Sequence, residues 1–303
     1  MVEMLRRTVL AALLCLALTA GCGGSPRTVA FPLGHVDRDL AYCRAETLDL
    51  YIPRAPVTHP LPVALYVHGG GLTGGDKSSL NPIFLNALAS AGYAVASVNY
   101  RLAPRFEFPA QIEDVKCAIR YLRVESERYG LNGEEIFAFG TSAGGQLVAL
   151  AALTGPHSSF DVGPYGNEPS DLRAVADMFG PANLAERASG FSPSAIQQVF
   201  GQKNHPDVAL ASPTHFVSAA SPPILIVQGV DDPIVLESQS IELYRALEAV
   251  GDQTQLVLVQ NMGHMFMQVG PHPVTPSLRQ IARDVVTFFD NQQKAVSAGS
   301  PAS

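Results

Sequence analysis

The sequence predicts an α/β fold, a mainly parallel sheet with helices on both faces. Two observations carry that expectation. Short apolar runs of strand length recur along the chain, and most are separated by segments whose apolar residues repeat at helical spacing. With 303 residues, 47% of them hydrophobic and 16% charged, the chain can also bury a core large enough for such layers.

The N-terminus is read first as an export signal. MVEMLRR supplies positive charge, TVLAALLCLALTA is apolar, and AGC closes the segment before GGSPR. This resembles a bacterial lipoprotein signal over residues 1–21, with Cys22 as the lipidated first residue of an exported, membrane-anchored chain in the cell envelope. An ordinary signal peptide cut nearby is the other reading. Thr8 to Ala20 is too short to span a bilayer. Residues 22–30 read as a tether and residues 31–290 as one domain.

Within that domain LDLYIP (48–53) is an early strand for which an antiparallel run is open. VALYV (63–67), AVASV (94–98), IFAF (136–139), AVADMF (174–179), ILIVQ (224–228) and QLVLV (255–259) read as buried strands. In PAQIEDVKCAIRYLR, Ile112, Val115, Ile119 and Leu122 fall on one helical face. SQSIELYRALEAVG (238–251) is helical and ends at a glycine suited to a C-terminus, and LRQIARDVVTFFD (278–290) is the last periodic segment. Residues 155–222, rich in Pro, Gly and Ser, read as a cap-like region of loops and short helices over the strand ends. Residues 291–303 read as a disordered tail.

Composition narrows the partners. The formal net charge is −7 with no basic stripe, so nucleic acid is not expected. Cys15 leaves with the signal and Cys22 is acylated; Cys43 and Cys117 remain, as a disulfide or as two buried thiols. Two cysteines without clustered histidines exclude a thiolate zinc site, and no metal or organic cofactor is called for.

The chemistry gathers at FAFGTSAGGQLVAL (137–150), where Ser142 lies in G-x-S-x-G between a strand and a helix. A serine on so sharp a turn projects its Oγ, and the flanking Gly140 and Gly144 must be small. The bland alternative is a tight turn with an incidental serine. YVHGGGLTGGDKSS (66–79) follows a strand, and its glycine run leaves N–H groups approachable, as an oxyanion pocket demands. It lacks the G-K-[ST] ending of a phosphate loop, since Lys77 follows Asp76. His68 is read as a brace for this loop. A serine hydroxyl needs a base, and the base an orienting acid. Asp231 and Asp232 follow one strand and His264 follows the next, in the order Ser, Asp, His. Taken alone, His264 amid Met262, Met265 and Phe266 would be a core histidine; its place after a strand end reverses that.

HGGG, NYRLAPRFEFPAQIEDVKCAIRYLR, GTSAGG, ASPTHFVS, GVDDPIV and GHMF occur in this order. Together they resemble the bacterial α/β-hydrolase esterases related to hormone-sensitive lipase, nearest their BD-FAE-like branch, from about Val36 to Phe289. The resemblance implies an α/β-hydrolase fold and a serine carboxylic-ester hydrolase acting on small-molecule esters with short acyl chains, including acetyl groups on carbohydrate. It makes Ser142 the nucleophile and His264 the base, selects Asp232 over Asp231, and gives the oxyanion to the amides of Gly70, Gly71 and Ala143. Leu72 stands where relatives often carry Trp, which implies a more open pocket mouth; Arg105, Ala182-Asn183 and Gln228 are further departures. Two other readings remain. A serine peptidase of this fold would bring a gating domain for which there is no room, and a non-catalytic binding lipoprotein would normally have lost a member of the triad. Phe84, Phe106, Phe108, Leu72 and Phe266 are candidates for a pocket lining or for plain core.

Overall fold

The structure is a computed structural model that describes residues 33–44, 46–54, 60–186, 189–201 and 207–299, with side chains to 294. The expected signal, Cys22 and tether lie outside the described residues.

Eight strands form one sheet: β1 (Leu33–Cys43), β2 (Glu46–Pro53), β3 (Leu61–Val67), β4 (Ala94–Val98), β5 (Leu131–Thr141), β6 (Val175–Met178), β7 (Ile224–Gly229) and β8 (Thr254–Val259). Their spatial order is β1-β2-β4-β3-β5-β6-β7-β8. β2 runs antiparallel to both β1 and β4, and all other pairs are parallel. The helices are α1 (Pro82–Ser90), α2 (Ala110–Val124), α3 (Ser126–Tyr129), α4 (Ala143–Leu153), α5 (Pro193–Phe200), α6 (Asp207–Leu210), α7 (Glu237–Ala249) and α8 (Leu278–Gly299). α8 continues past Asp290, so residues 291–299, expected in a disordered tail, are helical.

Period-two alternation divides the strands between two cores. Val63, Leu65 and Val67 of β3 and Ile136 and Ala138 of β5 face one core; Ala64, Tyr66, Phe137 and Phe139 face the other. The first core is completed by α2, whose Ile112, Val115, Ile119 and Leu122 are all fully buried, together with α4 and α7. α1 and α8 complete the second, through Phe84, Leu88, Ile281, Val285 and Phe289. Burial on both faces is why the central strands read as unbroken apolar runs.

Topology places the site. From β3 the chain moves outward to β4, then crosses back to add β5 on the other side of β3. Strand order therefore reverses between β3 and β5, and the crevice past the C-terminal ends of such strands is where ligands bind in open α/β sheets. The glycine loop leaves β3 at that point, and Ser142 leaves β5.

Two devices fasten the periphery. Cys43 and Cys117 form a disulfide with Cα atoms 6.3 Å apart, joining the end of β1 to α2. Lys116 and Arg120 of α2 are fully buried on Asp161. Lys116 Nζ also donates to Gly155 O at 2.6 Å and Ser170 Oγ at 2.9 Å. These bonds pin the first part of the 155–222 segment, which also supplies β6, α5 and α6.

Candidate active site

β5 ends at Thr141, α4 begins at Ala143, and Ser142 between them has φ 54° and ψ −123°. That backbone region costs a non-glycine residue about 1–3 kcal/mol and persists only where the surroundings hold it. They do: Ser142 N donates to Met178 O at 2.9 Å, and Gln146 N donates to Ser142 O at 3.0 Å. A Cβ on Gly140 would overlap the carbonyl of Gly144, and one on Gly144 would overlap the carbonyls of Val67 and His68. The close approach of α4 to the end of β5 thus requires Gly140 to be bare, and its close approach to the end of β3 requires the same of Gly144.

His264 closes the arrangement from the loop after β8. Its Nε2 lies 2.9 Å from Ser142 Oγ and its Nδ1 lies 2.7 Å from Asp232 Oδ2. Asp232 Oδ1 accepts from Ile234 N at 2.8 Å and Val235 N at 3.1 Å. The carboxyl is used wholly as an acceptor, so Nδ1 carries the imidazole proton and Nε2 is left to accept from the serine. Burial separates the two aspartates: Asp232 is buried, whereas Asp231 is exposed and joins the loop through its backbone. Phe179 packs on the His264 ring, centroids 5.0 Å apart at 63°.

The cleft above these groups has a volume of about 480 Å³ and is bounded by Gly70, Gly71, Ser142, Phe191, Ile234 and His264. Ala143 occupies the first position of α4, where a backbone N–H has no acceptor within the helix. Ser142, His264 and Asp232 are thus brought together, with Gly70 and Gly71 bordering the same cleft and Ala143 next to Ser142. His68 braces the loop as expected: its Nδ1 bonds Gly69 O at 2.7 Å, its ring stacks on Tyr100 at 4.2 Å, and Tyr100 Oη donates to His68 O at 2.9 Å. Burial pushes the His68 imidazole pKa down.

Leu72 corrects an expectation. It is fully buried in the core below the loop and does not bound the cleft, so its replacement of Trp does not open the mouth. Phe108 is likewise core, whereas Phe84 and Phe266 border a small cavity beside the cleft. Among the described residues no group of three or more His, Cys, Asp or Glu side chains is arranged to hold a metal ion.

Two further residues support the site: Gln228, which the sequence marks only as a departure from the family pattern, and Asp177, which it does not mark. Gln228, inside the buried run of β7, donates to Val235 O at 3.0 Å and accepts from Ser240 Oγ at 2.9 Å, fixing the loop that carries Asp232. Asp177 of β6 is fully buried, accepts from Gly180 N at 2.9 Å, and lies beside Met178, whose carbonyl holds Ser142. Burial raises the Asp177 carboxyl to about pKa 7, against the opposing bond from Gly180. A carboxyl raised on folding contributes stability that is complete below its unfolded pKa of about 4 and lost as pH rises through 7. Asp177→Asn, which keeps an acceptor for Gly180, should remove roughly 2–3 kcal/mol of the stability that the wild type loses between pH 5 and pH 8. Denaturant titrations at the two pH values check this; an unchanged difference would contradict it.

The BD-FAE family model matches residues 48–247. The chain is 30% identical over 260 residues to esterase LipC of Mycobacterium tuberculosis, covering 80% of this chain and 64% of that protein, under two thirds of its length. It is 28% identical over 265 residues to an ethyl acetate hydrolase of Pseudomonas putida, covering 84% of this chain and 80% of the relative. Among solved structures it is similar to a truncated carbohydrate esterase from gut microbiota, with 28% identity, a TM-score of 0.75, and coverage of 88% of this chain and 98% of the other. The architecture is that of the α/β-hydrolases.

Proposed function

Because this chain belongs to the BD-FAE family, we propose that it is a serine carboxylic-ester hydrolase acting on short-chain acyl esters, acetyl esters of carbohydrate among them. The observation that carries this reading is the chain of hydrogen bonds from Ser142 Oγ through His264 to Asp232, at 2.9 Å and 2.7 Å. In the proposed reaction Ser142 Oγ attacks the ester carbonyl while His264 Nε2 takes its proton. The negative oxygen of the tetrahedral adduct accepts from the amides of Gly70, Gly71 and Ala143, beside the positive end of α4. His264 then gives its proton to the departing alcohol. Water, deprotonated by the same imidazole, hydrolyses the acyl-enzyme. Asp232 keeps the imidazole in the required tautomer throughout.

The ester assignment is tested by comparing p-nitrophenyl acetate with the matching anilide on the full chain. Turnover of the ester with little or none of the anilide is the expected result. Comparable rates would favour a peptidase, and inertness toward both would favour a binding protein.

The N-terminal segment, with its basic start, apolar stretch and AGC, supports reading Cys22 as a lipidated residue that tethers the enzyme to a membrane of the cell envelope. Cells expressing the chain should incorporate labelled palmitate into it, and Cys22→Ala should abolish incorporation. Equal labelling of the variant would contradict the anchor.

A further inference from the structure

The glycine loop has little stiffness of its own. Gly70, Gly71 and Gly75 all hold positive φ, at 122°, 62° and 104°, backbone that only residues without a Cβ adopt freely. The loop doubles back on itself. A Cβ on Gly70 would overlap the Gly74 carbonyl, and Thr73 N and Gly74 N donate to Gly70 O at 3.2 Å and 3.1 Å. In a trans peptide the N–H points opposite the carbonyl. The bonds that fix Gly70 O therefore also aim the Gly71 N–H, one of the proposed oxyanion donors. Gly70 and Gly74 move together, so that aim depends on where the chain is fastened after Gly74.

Lys77 is that fastening. It opens a single 3-10 turn, Lys77–Ser79, and is buried. Its backbone is held at both ends: Lys77 N donates to Asn99 Oδ1 at 2.6 Å, and Ser97 Oγ donates to Lys77 O at 2.6 Å. Its Nζ reaches Asp49 Oδ1 of β2 at 2.6 Å and Asp39 Oδ1 of β1 at 2.8 Å. Asp39 lies at a bulge of β1, with φ 54°, and its N–H donates to the same Asp49 oxygen at 3.0 Å. Arg38 Nη1 pairs with the other Asp49 oxygen at 2.9 Å. Bulges re-aim side chains beside active sites, and this one turns a second carboxylate toward Lys77. Gly75 and Ser79, on either side of Lys77, both border the cleft. We infer that Lys77, held by Asp49 and Asp39, is a positioning residue for the oxyanion donors; the inference rests on the proposed ester hydrolysis. Stability alone does not require the charge, since replacing a buried ion pair by apolar side chains is often neutral or stabilising. What the ion pair adds is one fixed geometry at the exit of the loop.

The test compares the full chain with Lys77→Met, which keeps the length of the side chain without its charge. Lys77→Met/Asp49→Asn, which also neutralises the buried carboxylate, reads the same quantities should the single variant fail to fold. Labelling to completion with a fluorophosphonate counts the active sites, so that rates are read per folded enzyme. With p-nitrophenyl acetate kcat should fall about 10–10²-fold while KM stays within about threefold of wild type. An aryl trifluoromethyl ketone gives the second readout. Ser142 Oγ adds to its carbonyl carbon, His264 takes the hydroxyl proton, and the hemiketal oxygen presents its negative charge to the same amides. Affinity for this ketone should fall by the same factor as kcat/KM, about 10–10²-fold. Turnover per site within about twofold of wild type would make the ion pair merely structural and overturn the inference, although ester hydrolysis stands. Lost turnover with undiminished affinity for the ketone would overturn it too, because the defect would then lie away from the oxyanion donors. If the wild type hydrolyses no ester, both readings fall.

Discussion

Ser142→Ala should lower turnover of p-nitrophenyl acetate by on the order of 10⁶-fold, because removal of a serine nucleophile leaves only binding and the oxyanion donors. The fold should survive. Alanine keeps the β-carbon, the Ser142 N to Met178 O bond and the Gln146 N to Ser142 O bond, and gives up only the hydroxyl's contact with His264. The residue is half-buried at the cleft floor, so no cavity opens in the core. Circular dichroism and thermal melting should match the wild type to within a few degrees. A folded variant with a comparable rate would remove Ser142 from the mechanism.

Asp232→Asn should cost on the order of 10⁴-fold in kcat while leaving the loop in place. The two amides that hold Asp232, from Ile234 and Val235, both bond Oδ1. An asparagine oxygen can accept both, which orients the side chain and turns its NH₂ toward His264 Nδ1. That nitrogen must then accept, the proton moves to Nε2, and the imidazole can no longer take the proton of Ser142. The geometry persists while the tautomer is wrong. Asp231→Asn, at an exposed neighbour, should leave kcat within about twofold of wild type. Steady-state kinetics of the pair check the assignment, and equal losses would contradict it.

Much of this arrangement was readable before the structure because the central strands are buried on both faces, so their apolar runs stand out against turn-rich segments. Ser142 was legible because a sharp strand-to-helix turn excludes side chains at Gly140 and Gly144. His264 is legible through its place after a strand end, its order in the chain and the GHMF motif, since its neighbours are those of a core histidine. β1 was not foreseen. It carries LGHVDRDLAYC at the sheet edge, with bulges against β2 and mostly partial exposure, so no clean alternation betrays it. The sequence leaves the disulfide open because it gives no distance between Cys43 and Cys117. Gln228 and Asp177 did leave a signal. A lone polar side chain inside an apolar strand must find partners, and theirs are the loops that hold Asp232 and Ser142.

The most direct measurement of the central claim is the site of covalent capture. The protein is mixed with a fluorophosphonate and its peptides are mapped by mass spectrometry. One adduct per chain on the Ser142 hydroxyl, absent from Ser142→Ala and suppressed in His264→Ala, is the predicted result. Modification at another residue, or none in a folded wild-type protein, would contradict it.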